Sequence, residues 1–262
     1  MKRLMITALF LGLIATGCSS DDNNSDDADS ANIYLPLAAG NFWTYDVETS
    51  AGITRDSLYV AEDVVVNALD YKKMRTLETP SGFYSGSMNN NAVRKTGSSV
   101  VMTGSAAINF PGVTPIAIAL SDFVVFRENA NEGDQLSSVS DETIQDLQGL
   151  PVTLQYTLKS LGGATMATFT VPGGATYTDV KIVKVVMNLR AFTPVATFPV
   201  DILSSQDVLV SNQYYAKNIG MVFASTTFSY NLQDLSALGI TLPIPQSMTQ
   251  VATEKMDTYQ AE

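Results

Sequence analysis

Side chains able to do covalent chemistry are scarce in this chain of 262 residues: it has one cysteine, Cys18, and no histidine. Ser-His-Asp and Cys-His nucleophile systems, and zinc or iron held by histidine or thiolate, need an imidazole or a thiolate near neutral pH. They fall away here, and so do disulfides. What survives is carboxylate chemistry, serine with lysine, or oxygen-ligated calcium. Asp46, Glu48, Asp56, Glu62 and Asp63 are carboxylates on expected strands, but no spacing between them marks a glycosidase pair. Asn129-Ala-Asn-Glu-Gly-Asp134 sets oxygen side chains at alternate positions before a glycine. It lacks the bidentate glutamate that closes a complete EF-hand loop, and it reads as a turn between strands. Lys72, Lys73 and Arg75 beside Tyr71 read as a solvated basic face. The expectation is a non-enzymatic protein with no cofactor and no metal, with a carboxylate-dependent hydrolase as the remaining enzyme reading.

Cys18 takes its chemistry from what precedes it. Lys2 and Arg3 form a basic start, and Leu4 to Ala15 is an apolar run relieved only by Thr7 and Gly12. Together they read as a secretory signal. A run of about a dozen residues is too short for a spanning helix, which needs about 20 residues. Ala15-Thr16-Gly17-Cys18 resembles the lipobox of bacterial lipoproteins, which implies that Cys18 is acylated and becomes the new N-terminus. A single buried acyl chain binds only marginally, so stable anchoring takes two or more lipid signals. Residues 1–17 are therefore expected to be a lipoprotein signal peptide, and residues 18–32 a lipidated cysteine with its tether. Ser19 to Asn32 contains five aspartates and nothing apolar larger than alanine, a composition that cannot bury enough surface to fold. As a flexible coil it spans about 20 Å. The serine and aspartate run directly after the cysteine also looks like the export signal of Bacteroidota surface lipoproteins, though a plain solvated spacer has the same composition. The expected place is the outer membrane, on its periplasmic or cell-surface face.

Removing residues 1–17 takes away two of the 15 basic residues and none of the 26 acidic ones, leaving 13 basic against 26 acidic. That balance argues against nucleic acid and against docking on anionic lipid through a basic patch. The expected partners are the membrane, reached through the N-terminal lipid, and a lipid, an apolar ligand or an envelope protein.

Residues 33–262 are expected to be one antiparallel β domain, a curved sheet of half-barrel or β-clam type with one or two short helices. Trp43, Tyr45 and Val47 alternate with polar neighbours and predict a strand with one core face. Residues 53–66, 69–78, 83–88 and 93–95 read as further strands. Val152, Leu154, Tyr156 and Leu158 mark a half-buried strand, and Gly162-Gly163 predicts a tight hairpin after it. Pro172-Gly173-Gly174 turns the chain again into a long strand from Thr176 to Ala191. Its apolar phase changes near Val183, which predicts a bulge or bend there. Residues 208–217 and 221–230 read as a hairpin across Asn218-Ile219-Gly220, and residues 248–259 as a terminal strand. Ser140-Asp141-Glu142 could cap a short helix over 143–147, and residues 232–238 could form another.

Three of these segments carry a resemblance. Tyr34-Leu-Pro-Leu-Ala-Ala-Gly-Asn-Phe-Trp-Thr-Tyr45, Thr170-Val-Pro-Gly-Gly-Ala-Thr-Tyr-Thr-Asp-Val-Lys181 and Tyr214-Tyr-Ala-Lys-Asn-Ile-Gly-Met-Val222 are similar to recurring segments of secreted bacterial proteins of LolA-like or DUF3108-like β-clam type. The resemblance implies a strongly curved antiparallel half-barrel, in some relatives closed over a lipid, and it implies no reaction.

Three apolar, proline-bearing stretches, 106–120, 192–203 and 232–248, do not alternate as strands should. Loops normally run over the surface and are polar. Apolar ones must be buried, either lining or gating a cavity or plugging the concave face as core. If they line a site, its expected residues are Phe110, Ile116, Ile118, Phe192, Phe198, Ile202, Leu238 and Leu242. The functional expectation is an anchored envelope protein that binds an apolar or lipid-like ligand or a partner, with a filled structural module as the alternative.

Overall fold

The structure, a computed structural model, describes residues 34–109, 114–147, 149–195, 198–240, 242 and 244–262. The expected signal peptide, Cys18, the tether and Phe110 lie outside them. All described residues belong to one compact unit, Asn32–Glu262.

Twelve strands form one antiparallel sheet: β1 Phe42–Thr49, β2 Gly52–Val66, β3 Leu69–Thr76, β4 Ala92–Thr96, β5 Ser99–Ile108, β6 Ile116–Arg127, β7 Gln135–Leu147, β8 Leu150–Thr170, β9 Thr176–Val195, β10 Phe198–Ala216, β11 Gly220–Asn231 and β12 Ser247–Gln260. Their spatial order, β6-β5-β4-β3-β2-β1-β12-β11-β10-β9-β8-β7, is a meander closed in its middle by the pairing of β12 with β1. The sheet curls into a nearly closed barrel whose free edges, β6 and β7, face each other. Among the described residues no ladder joins these edges. Side chains of β7, β8 and β9 reach across to β6 and its flanks: Gln145 Nε2 donates to the Thr114 carbonyl at 3.0 Å, Ser160 Oγ to the Val124 carbonyl and Lys181 Nζ to the Glu128 carbonyl. No helix among the described residues is long and apolar enough to cross a membrane.

Alternation sets the core. Trp43, Tyr45 and Val47 of β1 point inward and are buried, as do Val152, Leu154, Tyr156 and Leu158 of β8 and Val183, Val185, Met187 and Leu189 of β9. The bulge expected near Val183 lies across from it: the β8–β9 register slips between Gly162 and Thr165, opposite Lys181 to Val183, so the extra residue is on β8, while β9 pairs with β10 without a slip there. The glycines that predicted a hairpin sit at this bulge inside β8, because the backbones there approach too closely for side chains. A Cβ on Gly162 would meet the Asn131 carbonyl oxygen at 2.4 Å, and one on Gly163 would meet Ile182 at 2.8 Å.

Four further expectations are corrected. Phe83–Met88 is a short helix, α1, and not a strand, because buried carboxylates hold its first N–H groups. Residues 143–147 continue β7 and not a helix, since each pairs across to β8. Of the helix expected over 232–238 only a 3-10 turn, Ser236–Leu238, is present. Two of the three apolar stretches are largely strand. Ile108 pairs with Ile116 across the β5–β6 hairpin, and Phe192 to Val195 pair with β10. Register slips at Asp201/Leu203 and Leu203/Gln206 break the alternation that would have revealed β10. The third stretch, between Asn231 and Ser247, makes no ladder among its described residues.

The barrel has two rims. The β1–β2, β5–β6, β7–β8, β9–β10 and β11–β12 connections lie at the upper one, the β3–β4 connection carries α1 down into the interior, and the described chain enters at the lower one. There Tyr34 stacks on Phe126 at 5.1 Å and Leu35 is buried.

Candidate functional site

The barrel interior divides into a packed middle and a small void under the upper rim. The middle is built around α1. Its entry is fixed by two carboxylates that alternation turns inward: Asp56 of β2 and Glu254 of β12, which are 3% and 2% exposed. Asp56 accepts the Ser81 and Gly82 N–H groups at 2.9 and 2.8 Å. Glu254 accepts the Tyr84 N–H at 2.6 Å, the Ser85 N–H at 3.0 Å and the Ser85 hydroxyl at 2.7 Å. These bonds satisfy donors that a helix start leaves open. Gly82 is required by the approach, because a Cβ there would lie 2.2 Å from the Glu254 carboxyl carbon. Burial raises the Glu254 pKa to about 7; the bonds from Ser85 and Tyr84 oppose the rise and nearby Asp56 adds to it. Tyr84 packs edge-on between Tyr45 and Tyr215, with ring centroids 5.9 and 6.1 Å away. Below them Trp43 donates its Nε1–H to the Ile219 carbonyl at 2.5 Å.

The two buried carboxylates converge, but on backbone N–H groups and not on an open cleft. The other carboxylates singled out by sequence are in surface ion pairs: Asp46 with Arg55 at 3.6 Å, Glu48 with Lys255 at 2.8 Å, Glu62 with Arg75 at 2.8 Å, and Asp63 with Lys72. The basic face is thereby accounted for, with Lys73 donating to the Asn90 carbonyl. Asp134 accepts the Asn131 N–H at 2.8 Å, as a turn would. No group of three or more metal-ligating side chains occurs among the described residues.

The void under the upper rim has a volume of about 60 Å³. Its walls are Ile116 of β6, Leu147 of β7, Val152 and Leu154 of β8, Leu189 and Ala191 of β9, Ile202 and Leu203 of β10, and Tyr230 of β11. Ile202 and Leu203 are neighbours in sequence, yet both are buried, because the β10 register slips there. Leu232, Leu242 and Ile244 of the β11–β12 connection close the void from outside. The same three residues line an outer recess of about 220 Å³, shared with Gln233, Asp234, Leu235, Ser236, Ile240 and Gln246. They are thus a partition between two spaces.

The connection is tied down at its ends. Leu232 N–H donates to the Gln246 carbonyl at 2.7 Å and Gln233 N–H to the Ile202 carbonyl at 2.8 Å. Between these ties, the hydrogen bonds of the described residues stay within the segment: Leu238 and Ile240 N–H to the Leu235 carbonyl, Gly239 N–H to the Ser236 carbonyl and Ser236 N–H to Asp234 Oδ1. Tyr230 carries the only polar side-chain atom among the lining residues. The residue is 5% exposed, its hydroxyl has no hydrogen-bond partner, and burial raises its pKa.

Of the expected lining residues, the void gathers Ile116, Ile202 and Leu242. Ile118 is fully buried in the core away from the void. Phe192 is a correction: on β9 the odd residues face inward, so Phe192 faces outward, under the Arg190 guanidinium at 4.7 Å. Phe198 and Leu238 are corrections too, at 72% and 52% exposed on the rim. Sequence reasoning missed Leu154, Leu189, Leu232, Ile244 and Tyr230. The first two were legible as core-facing by alternation, but nothing local distinguishes a core residue beside a void from one without.

No protein-family model and no curated protein sequence matches the chain. Among solved structures, a Parabacteroides distasonis protein described as a candidate lipoprotein is similar over 88% of this chain and 99% of its own, at 14% identity and a TM-score of 0.39. That score is below the level of a shared fold, and the LolA-like or DUF3108-like kinship expected from the strand and turn segments finds no family match.

Proposed function

We propose that this protein is a non-enzymatic lipoprotein of the bacterial outer membrane, anchored through Cys18, whose barrel receives a small apolar ligand beneath the β11–β12 connection. The anchor rests on the single cysteine placed directly after an apolar export segment and before an acidic tether. The ligand reading is carried by one observation: an uncharged void sits behind a three-residue partition with a wider recess on its far side.

Volume decides how a ligand would enter. A dry cavity of about 150 Å³ admits benzene, and this void has about 60 Å³. Entry therefore requires Leu242 and Ile244 to move outward from beside the tied Leu232 and merge the two spaces, which approaches the lower end of ligand sites at about 300 Å³. A full lipid chain is too large for the void as it stands. The small volume also favours the second reading, a filled module that meets an envelope partner through its outer surface.

Cys18→Ser in the full chain should move the protein from the membrane to the soluble fraction, and unchanged retention would contradict the anchor. Melting that soluble chain with and without heptanol separates the two readings. A ligand that binds only the folded state raises stability by mass action, by about 2.7 kcal/mol at a hundred times its Kd. Absence of any shift would leave the filled module.

A further inference from the structure

The outer face of the barrel carries an open groove of about 480 Å³ over β7, β8, β9 and β10, within the range of small-molecule sites at about 300 to 1,000 Å³. Alternation builds its floor. On β8 and β9 the inward residues are Tyr156, Leu158, Met187 and Leu189. Gln155, Thr157, Asn188 and Arg190 therefore point outward, and the register sets Gln155 beside Arg190 and Thr157 beside Asn188. β7 extends both rows, with Glu142 opposite Gln155 and Ser140 opposite Thr157. On the far side the β9–β10 ladder slips between Leu203 and Gln206, which re-aims Ser205 toward the floor.

These side chains are fixed by bonds within the face. Gln155 Nε2 donates to Glu142 Oε2 at 3.1 Å, the Ser140 and Thr157 hydroxyls share a bond at 2.8 Å, and Ser205 Oγ donates to Asn188 Oδ1 at 2.7 Å. Asn188 Nδ2 donates to Asp207 at 3.0 Å, and Arg190 is held by Asp201 at 2.7 Å and by the Phe192 ring beneath it. A side-chain amide offers two donor hydrogens and two acceptor sites, and a carboxylate about four acceptor sites. Gln155, Asn188 and Glu142 thus keep bonding capacity beyond the bonds that orient them. Groups fixed before binding lose less freedom when a ligand arrives.

The lining selects the ligand by its chemistry. Its one aromatic residue, Tyr156, is 6% exposed and turned inward, so the groove lacks the apolar centre that a protein partner buries. Anions are disfavoured, because the lining holds two carboxylates, Asp141 and Glu142, against one guanidinium that Asp201 already pairs. What fits is an uncharged molecule dense in hydroxyls, each of which donates and accepts as the amides and hydroxyls of the floor do.

We propose that this groove binds a neutral carbohydrate chain, with Gln155 and Asn188 taking its hydroxyl groups. The site lies outside the sheet and is independent of the void beneath the rim, so it stands whether or not that void admits a ligand.

The test is affinity electrophoresis of the full chain carrying Cys18→Ser, in native gels containing glucan, mannan, galactan or xylan, with polygalacturonate as the charged control. The variants are the double substitution Gln155→Ala with Asn188→Ala, and Thr157→Val, which keeps the shape and strand preference of threonine. All three positions are half-buried on the outer face, and a thermal melt of each variant checks that it folds. At least one neutral polymer should retard the parent chain. The double variant should bind that polymer about tenfold more weakly, as the loss of two hydrogen bonds implies, Thr157→Val severalfold more weakly, and polygalacturonate should retard none of them. Retardation by none of the neutral polymers, a preference for polygalacturonate, or folded variants retarded as strongly as the parent would overturn the proposal.

Discussion

The middle of this barrel and its upper rim are made of the same strands, yet they are filled in different ways. In the middle, α1 is pulled between the sheet's faces by Asp56 and Glu254, and the Tyr45 and Tyr215 rings pack against its Tyr84. The space left beside that plug is about 30 Å³. At the rim no helix enters, and the interior is covered by Leu232, Leu242 and Ile244 from a segment whose central hydrogen bonds are its own. A plug held by buried polar bonds is costly to remove, because each donor left behind loses its partner. A cover held by apolar contact loses only contact when it shifts. The contrast makes the middle the stabilising region and the rim the place where a ligand can be admitted.

The largest expected effect is on the plug. Glu254→Ala leaves three buried donors, Tyr84 N–H, Ser85 N–H and the Ser85 hydroxyl, without their acceptor, together with a cavity. Denaturant unfolding at pH 5 should show a loss of about 3 to 5 kcal/mol. A loss below about 1 kcal/mol would mean that α1 is not held by this carboxylate.

The next effect is on pH dependence. Glu254 has a pKa raised from 4.5 to about 7 in the fold, so the folded state binds its proton more tightly than the unfolded chain does. The stability associated with that proton is complete below about pH 4.5 and is lost as pH rises through about 7, by up to about 3 kcal/mol. Unfolding measured across this range should show a decline that Glu254→Gln flattens. A wild-type curve that rises over this window would contradict the assignment.

Gly220 tests the floor beneath the plug. Its φ is +118°, and a Cβ there would lie 2.8 Å from Trp43 Nε1. Gly220→Ala should cost about 2 kcal/mol, from backbone strain and displacement of the indole, read as a drop in melting temperature. At the rim the expected effect is smallest. Tyr230→Phe removes a hydroxyl that has no partner, so stability should stay within about 1 kcal/mol or rise. A larger loss would reveal a bond to that hydroxyl.

How far the sequence showed this division follows from the range of the interactions. Trp43, Tyr45 and Val47, the turn at Pro172 to Gly174 and the hairpin at Asn218 to Gly220 are local patterns, and the mainly β, curved antiparallel fold was legible from them. Phe83 to Met88 was not, because the adjacent aromatics Phe83 and Tyr84 favour strand locally. What makes it a helix is a glutamate 169 positions away from Ser85. Glycine in Gly162-Gly163 marks either a turn or a close approach, and only the packing of Asn131 and Ile182 decides for the second. At the rim, apolar character found Ile116, Ile202 and Leu242, but it could not tell them from Phe198 and Leu238, which hairpin geometry and the 3-10 turn expose. Tyr230 was legible as the end of a strand, whereas its place in the wall of the void depends on residues from five other strands and the connection.

The central claim, that the rim admits a ligand and the middle does not, is tested most directly by methyl NMR of the full chain carrying Cys18→Ser, titrated with heptanol. Saturable shifts are expected at Ile116, Leu154, Ile202, Leu242 and Ile244, with Leu58, Val60 and Met74 in the packed middle unmoved. Shifts spread evenly over both groups, or none at the rim methyls, would contradict it.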